Sequence, residues 1–199
     1  MNYELLVAAS LFAVVSLITP GPNNTMVLTS GVNFGLQRTL PHLLGICIGF
    51  GLMQVLVGLG LHTLLGQYPS VLEILRYVGG AYMLWLAWKL ATSRSAPGVV
   101  AASTRPLGFW GAAAFQWVNP KAWVMCMTAM TAYLPTQAST TQVLMLGSMF
   151  TVLGIPCVGT WAAFGSSMRR FLQDPLKLRI FNNAMALALV ASLYPMLMN

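Results

Sequence analysis

Lys121 carries the most unusual chemistry in this sequence, because it is a cation inside the long apolar run that contains "FQWVNPKAW". A lysine at the centre of a membrane-spanning helix costs about 2.5–3.5 kcal/mol on insertion scales, so such a residue is a functional candidate by default. Its ammonium can pair with an anionic substrate group, or it can titrate in proton coupling. The structural alternative is that Lys121 reaches the interface, or donates to backbone carbonyls that a helix break has freed.

Two segments of the sequence predict breaks inside apolar helices. In "TPGPNN" the first helix can stop at Gly21, and Pro22 suits the first position of a new helix. In "NPKAW", Asn119 is a good N-cap and Pro120 a good first helical residue. Each restart directs N–H groups and the positive end of a helix dipole at a guest between the segments, so we expect a carboxylate there. The candidate substrate-binding residues are Pro20, Gly21, Pro22, Asn23, Asn24, Asn119, Pro120 and Lys121.

The composition indicates an integral membrane protein. Of the 199 residues, 57% are hydrophobic and only 7% are charged, whereas soluble domains carry roughly a quarter charged residues. Long continuous apolar runs indicate helices, because barrel strands alternate apolar and polar residues over roughly 10 positions. An all-α membrane protein with six transmembrane helices in a single domain, residues 1–199, is therefore predicted. The six runs are about 5–29, 40–62, 71–91, 107–130, 142–165 and 178–198.

The six predicted helices divide into two similar halves, about 1–91 and 107–199, joined by a polar cytoplasmic loop at 92–106. Helices 1 and 4 both carry a proline near mid-membrane with asparagine beside it. Because each half contains an odd number of helices, the halves cross the membrane in opposite senses. Interrupted helices at matching positions of inverted repeats predict the binding site of a transporter, which we expect to work by alternating access.

The basic residues predict the orientation of the chain, because short cytoplasmic loops collect lysine and arginine. They gather in the first, third and fifth loops, which places both termini outside the cytoplasm. This sorting also accounts for the net charge of +7 without nucleic-acid binding. The loop residues are Arg38, Lys89, Arg94, Arg105, Arg169, Arg170, Lys177 and Arg179.

The acidic residues restrict the substrate, because Glu4, Glu73 and Asp174 are the only ones and each is expected near a membrane face. No carboxylate is then available at mid-membrane for a cationic side chain, which favours a neutral amino acid. The sequence has no nucleophile–base pair, metal-ligand spacing or phosphate-binding loop, so no catalytic residue, metal or cofactor is predicted. A membrane-embedded enzyme acting on lipid head groups, and a small channel or accessory subunit, are the alternatives.

Three segments resemble the LysE/RhtB family of bacterial amino-acid exporters. They are "TPGPNNTMVLTSGVNFGLQRTLPHLLGI", "YVGGAYMLWLAWKLA" and "FQWVNPKAW", in the same order along the chain. The string "AYMLWLAWKLATS" is most similar to the cysteine/O-acetylserine exporters of that family, although siblings of other specificity carry such strings too. Residues 20–24 match the family's first-helix signature, and residues 119–121 match the fourth.

The resemblance implies a secondary active exporter in the bacterial inner membrane. Its cargo would be a small amino acid or derivative that leaves the cytoplasm, driven by the proton gradient. A homodimer is also implied. The expected partners are therefore the amino acid, protons, the lipid bilayer and a second copy of the chain.

Overall fold

The computed structural model describes residues 3–61, 69–92, 106–135 and 137–193. Within these ranges the chain forms eight α-helices and no strand, which confirms the all-α prediction. The predicted loop at 92–106 and the end of the sixth run lie mostly outside them. In chain order the elements are α1 (Tyr3–Ile18), α2 (Pro22–Phe34), α3 (Leu36–Leu56) with a π-helical turn (Val57–Leu61), α4 (Pro69–Ala91), α5 (Phe109–Phe115) with a 3₁₀ turn (Gln116–Val118), α6 (Pro120–Tyr133), α7 (Thr140–Met168), a second 3₁₀ turn (Phe171–Gln173) and α8 (Pro175–Ala191).

The clearest membrane-spanning segments are α3 and α7. The most apolar windows of Leu36–Gly60 and Thr140–Met168 have mean hydropathies of 2.1 and 1.8. Helices α1 and α2 together are also apolar enough for one span, but they are bent by 54°. The described ranges therefore contain two continuous spans, or three when the bent pair counts as one. The arrangement of six spans in two inverted halves stays a prediction.

The first predicted break is present between α1 and α2. Helix α1 ends at Ile18, and α2 begins with Pro22 at its first position. Gly21 is the N-cap of α2 and has an extended backbone. Because glycine has no side chain, this helix end has no side-chain cap. The helix restart therefore occurs where proline and glycine predict it.

The connection between α2 and α3 differs from the prediction. Helix α2 continues to Phe34, and Gly35 alone makes the turn into α3 with a φ of 79°, which favours glycine. The first run is consequently longer than 5–29, and α3 already begins at Leu36. Arg38 lies inside α3, Lys89 inside α4, and Lys177 and Arg179 inside α8, so the assignment of these four residues to loops was wrong.

The second predicted break lies between α5 and α6. Helix α5 has only seven residues and continues into the 3₁₀ turn Gln116–Val118. Asn119 then adopts an extended conformation, with φ −90° and ψ 109°, and Pro120 takes the first position of α6. The prediction that both interrupted helices restart at a proline is confirmed.

Helices α3 and α7 lie side by side and contact most of the other elements. Helices α1 and α2 pack against α7, α5 packs against α3, and α4 packs against α8. The rings of Phe50 and Phe12 both make edge contacts with Phe150, at centroid distances of 5.7 and 6.2 Å. Each broken segment therefore rests on a continuous helix from the other half of the sequence.

Helices α2 and α7 come into backbone contact at two glycines. A Cβ atom added to Gly165 would overlap the carbonyl oxygen of Leu28, and one added to Gly31 would overlap that of Ala162. Small residues at such positions let membrane helices approach closely. This contact holds α2, and with it the first break, against the long helix α7.

An added methyl group at Gly165 tests this close approach. We expect Gly165→Ala to lower the free energy of unfolding by about 1–3 kcal/mol, because the two backbones must move apart. Gly159→Ala on the same helix is the control, since its new Cβ would lie 3.7 Å from Leu43 Cδ1, an ordinary contact. Thermal unfolding in detergent measures both variants. Equal melting temperatures would contradict the packing described for α2 and α7.

Candidate functional site

A small cavity lies between the two breaks. Its volume is about 30 Å³, and since one water molecule needs about 10–15 Å³, it has room for roughly two. Gly21, Asn23 and Asn24 line it from the first break, and Asn119 and Lys121 line it from the second. The structure therefore brings five of the eight candidate residues to one place.

The cavity lies at mid-depth of the two central helices. Ile46 and Phe50 line it from α3, and Phe150 and Val158 line it from α7, close to the middle of each helix. No acidic side chain lines it among the described residues. A few polar groups within apolar walls are the usual composition of a small-molecule site.

Asn24 and Trp161 satisfy carbonyls that α1 leaves free at its C-terminal end. Asn24 Nδ2 donates to the carbonyl oxygens of Leu17 and Thr19, both at 2.8 Å, and Trp161 Nε1 donates to that of Ile18 at 3.0 Å. Each carbonyl left unpaired would cost about 1–3 kcal/mol, and lipid offers no substitute for the missing partner. These side chains allow α1 to stop within an apolar run with its terminal carbonyls paired.

Lys121 completes the pairing of this helix end. Its Nζ donates to the carbonyl oxygen of Thr19 at 2.9 Å, to Thr19 Oγ1 at 2.8 Å and to the carbonyl oxygen of Pro20 at 3.2 Å. An ammonium has three N–H donors, and a cation is stabilised at the negative, C-terminal end of a helix dipole. The structure thus contains the arrangement of the structural alternative, in which Lys121 donates to freed carbonyls. Pairing with a substrate stays a prediction.

Gly21 makes room for Lys121 beside the start of α2. A Cβ atom at Gly21 would lie 2.8 Å from Lys121 Cδ and 3.2 Å from its Nζ. The ammonium therefore passes next to the N-terminus of α2, which has no side-chain cap. A cation and the positive end of a helix dipole lie together at this edge of the cavity.

The two helix restarts differ in the donors that they leave free. At α6, Asn119 Oδ1 accepts from the Lys121 amide at 3.1 Å, and the Asn119 carbonyl accepts from the amides of Ala122 and Trp123 at 3.0 and 3.3 Å. The expectation that both restarts direct free N–H groups at a guest is therefore wrong for α6. The side-chain oxygen of Asn119 accepts from an amide of the helix that it caps, whereas Gly21 has no side chain that could do so.

Asn23 and Gln116 join the two breaks through paired side-chain amides. Asn23 Nδ2 donates to Gln116 Oε1 at 2.8 Å, and Gln116 Nε2 donates to Asn23 Oδ1 at 3.2 Å and to the carbonyl oxygen of Ala112 at 2.8 Å. Gln116 is fully buried. Sequence reasoning missed it, although a glutamine directly before "WVNPK" in an apolar run signals a buried amide that needs a partner.

The three prolines determine backbone geometry at the breaks. Pro22 and Pro120 each occupy the first position of a helix, and the carbonyl of Pro20 accepts from Lys121. None of the three lines the cavity within the part of the chain that the structure describes. Their direct contact with a substrate stays a prediction.

A comparison with protein families identifies the chain. The family model described as "LysE type translocator" matches residues 14–192, a range that includes both breaks. The chain belongs to the LysE family. LysE-type translocators are transport proteins, which excludes the enzyme alternative.

Curated relatives are similar over most of the LysE-family chain. A protein named "Cysteine/O-acetylserine efflux protein" from Salmonella paratyphi A is 31% identical over 171 residues, covering 85% of this chain and 87% of its own. Proteins with the same name from Klebsiella pneumoniae and Escherichia coli O1:K1 / APEC are each 30% identical, covering 85% and 87% of this chain and 86% and 89% of their own. No solved structure matches the chain.

Removal of the indole N–H of Trp161 tests the capping of α1. We expect Trp161→Phe to lower the free energy of unfolding by about 1–3 kcal/mol, because the Ile18 carbonyl loses its partner. The control is Trp110→Phe, since Trp110 is 80% exposed; we expect it to change stability by less than about 0.5 kcal/mol. Chemical unfolding in detergent distinguishes the two, and an unchanged Trp161→Phe would argue against the cap.

A double-mutant cycle tests the amide pair. We expect Asn23→Ala and Gln116→Ala to be non-additive, with a coupling free energy of at least about 0.5 kcal/mol, because either single change already removes both shared hydrogen bonds. Unfolding free energies of the two single variants and of the double variant give the coupling. Simple additivity would mean that the pair does not join the breaks.

Proposed function

We propose that this LysE-family translocator exports a small neutral amino acid or amino-acid derivative from the cytoplasm, by alternating access and coupled to the proton gradient. Cysteine and O-acetylserine are the proposed substrates, because the relatives named for their efflux are similar over most of the chain. The observation that carries the proposal is the position of Lys121 beside the uncapped N-terminus of α2, at a mid-depth cavity.

The substrate carboxylate binds at the junction of Lys121 and α2. Backbone N–H groups at a helix N-terminus and a neighbouring ammonium together form an anion site. Lys121 exchanges one or more of its bonds to Thr19 and Pro20 for the carboxylate. Asn23 and Asn24, which line the same cavity, provide further polar contacts.

The lining of the cavity supports a neutral substrate side chain. Its charged member is Lys121, and the described residues contribute no carboxylate that could pair with a second cation. A lysine-like or arginine-like substrate would bring an unpaired positive charge next to Lys121, which is costly away from water. Small polar or apolar side chains avoid that cost and fit against Ile46 and Phe50.

The small size of the cavity supports a cycle between conformations. A volume of about 30 Å³ admits water but not an amino acid, so the segments around the two breaks must separate for substrate to bind. The bend of 54° between α1 and α2 provides a natural hinge for that movement. The narrow cavity then corresponds to a state that no amino acid occupies.

We place the protein in the bacterial inner membrane with both termini on the periplasmic side. The turn at Gly35 lies beside Arg169, because a Cβ there would lie 3.7 Å from Arg169 Nη1. Arg38 and Arg169 are therefore near the same end of the bundle, as expected for cytoplasmic basic residues. We also propose that the protein forms a homodimer, as the family resemblance implies.

Transport by purified protein in proteoliposomes tests this function. We expect saturable movement of radiolabelled L-cysteine and O-acetyl-L-serine that increases with an imposed pH gradient, and none of L-lysine. A channel would instead conduct without saturation and without dependence on the gradient. The absence of any amino-acid movement under these conditions would refute the proposed function.

Equilibrium binding to the double variant Lys121→Ala, Asn24→Ala tests the site. We expect at least about a tenfold loss of affinity for O-acetyl-L-serine, because a charge-assisted hydrogen bond contributes roughly 1.5–3 kcal/mol. The matched control is Lys177→Ala, Asn183→Ala, which changes an exposed lysine and an exposed asparagine on α8. Unchanged affinity in the first double variant would place the site elsewhere.

A further inference from the structure

A second and larger cavity lies beside α2. Its volume is about 300 Å³, which is within the range of roughly 300–1,000 Å³ that ligand pockets occupy. Helices α2, α3, α4 and α8 form its walls, together with Leu107 before α5. It reaches the end of α2 at Phe34 and the end of α4 at Leu90, the same end of the bundle as Arg38. We call this cavity the vestibule.

A row of polar side chains on α2 leads from the first break into the vestibule. Thr25, Thr29 and Asn33 are four residues apart and therefore share one helix face. Thr29 Oγ1 donates to the Thr25 carbonyl at 2.8 Å, and Asn33 Nδ2 donates to the Thr29 carbonyl at 2.9 Å. These bonds use the Thr29 hydroxyl proton and one of the two Asn33 amide protons, and they leave the side-chain oxygens of Thr29 and Asn33 as acceptors. Thr25 directly follows Asn24, which lines the cavity between the breaks.

His42 is a buried polar group in the vestibule wall with one nitrogen unpaired. Its side chain is 1% exposed, and Nδ1 lies 3.0 Å from Ser30 Oγ. Nε2 has no hydrogen-bond partner among the described residues. When the Ser30 hydroxyl donates to Nδ1, Nε2 carries the proton of the neutral ring and is a free donor. A buried donor without a partner is unfavourable. Nε2 is itself buried, so a ligand acceptor pairs with it only after the vestibule wall moves.

Lys89 provides the charge of the vestibule. It is exposed in the last turn of α4, and its Nζ lies 4.7 Å from the centroid of the Trp85 ring. No acidic side chain lines the vestibule in the part of the chain that the structure describes. The walls therefore combine a cation and a buried donor, which suit a carboxylate, with hydroxyl and amide oxygens, which suit an ammonium.

We infer that the vestibule is a second binding site for the exported amino acid, occupied from the cytoplasm before the substrate reaches the breaks. The carboxylate lies towards Lys89 and His42, and the ammonium lies towards the oxygens of Thr29 and Asn33. The inference rests on the proposed function for the identity of the ligand. The volumes support it independently, because about 300 Å³ holds a small amino acid whereas about 30 Å³ does not.

Binding stoichiometry tests the inference with radiolabelled O-acetyl-L-serine and purified protein. We expect two molecules per chain for the unmodified protein. Thr29→Val and Lys89→Gln together reduce this to one, and Lys121→Ala with Asn24→Ala also reduces it to one. The matched control is Thr131→Val with Lys177→Gln. Thr131 makes the same bond to the carbonyl four residues earlier, on α6, and Lys177 lies 4.3 Å from the ring centroid of Phe171.

Uptake of radiolabelled O-acetyl-L-serine into inside-out vesicles provides a second measurement. It requires only the substitution of one exposed residue, Lys89. We expect Lys89→Gln to raise KM about two- to fivefold at an unchanged maximal rate, as for loss of an exposed charge contact, and Lys177→Gln to leave both unchanged. One molecule bound per chain, retained by the vestibule variants, would overturn the second site and leave the proposed function standing. No binding to the unmodified protein would overturn both.

Discussion

The hydrogen bonds that close the C-terminal end of α1 are the constraint on which the rest of the structure depends. A helix that stops within an apolar run of a membrane protein frees carbonyls that lipid cannot pair. Asn24, Trp161 and Lys121 pair them from α2, α7 and α6. The break is therefore stabilised by the three helices that pack around it.

The same interactions position the residues of the proposed binding site. Lys121 is held beside the start of α2 because its acceptors, Thr19 and Pro20, lie at the end of α1. In the proposed site, a carboxylate competes with the oxygens of Thr19 and Pro20 for the N–H groups of Lys121. The vestibule on the other side of α2 is already large enough for a small molecule. The stepwise path that we propose, from the vestibule to the cavity between the breaks, agrees with this difference in volume.

The sequence predicted the local events well and the distant partners poorly. A short segment is enough to predict where a helix begins, because the relevant residues lie within one helical turn. This applies to the restarts at Pro22 and Pro120 and to the cap at Asn119. Gln116 and Trp161 were missed in these roles because their partners lie 93 and 143 residues away along the chain. The free donors expected at α6 were wrong for a local reason, since Asn119 occupies them itself.

By itself the sequence determined an all-helical membrane protein with two interrupted helices and a lysine at one interruption, because composition, proline and glycine act within a few residues. Only the tertiary structure decided what that lysine contacts, since its three acceptor atoms belong to Thr19 and Pro20, which lie 102 and 101 positions earlier in the chain. Only the tertiary structure also placed the two breaks around one cavity and opened a larger one beside α2. These contacts and cavities depend on packing between helices that are distant in the chain, which no short segment of sequence determines.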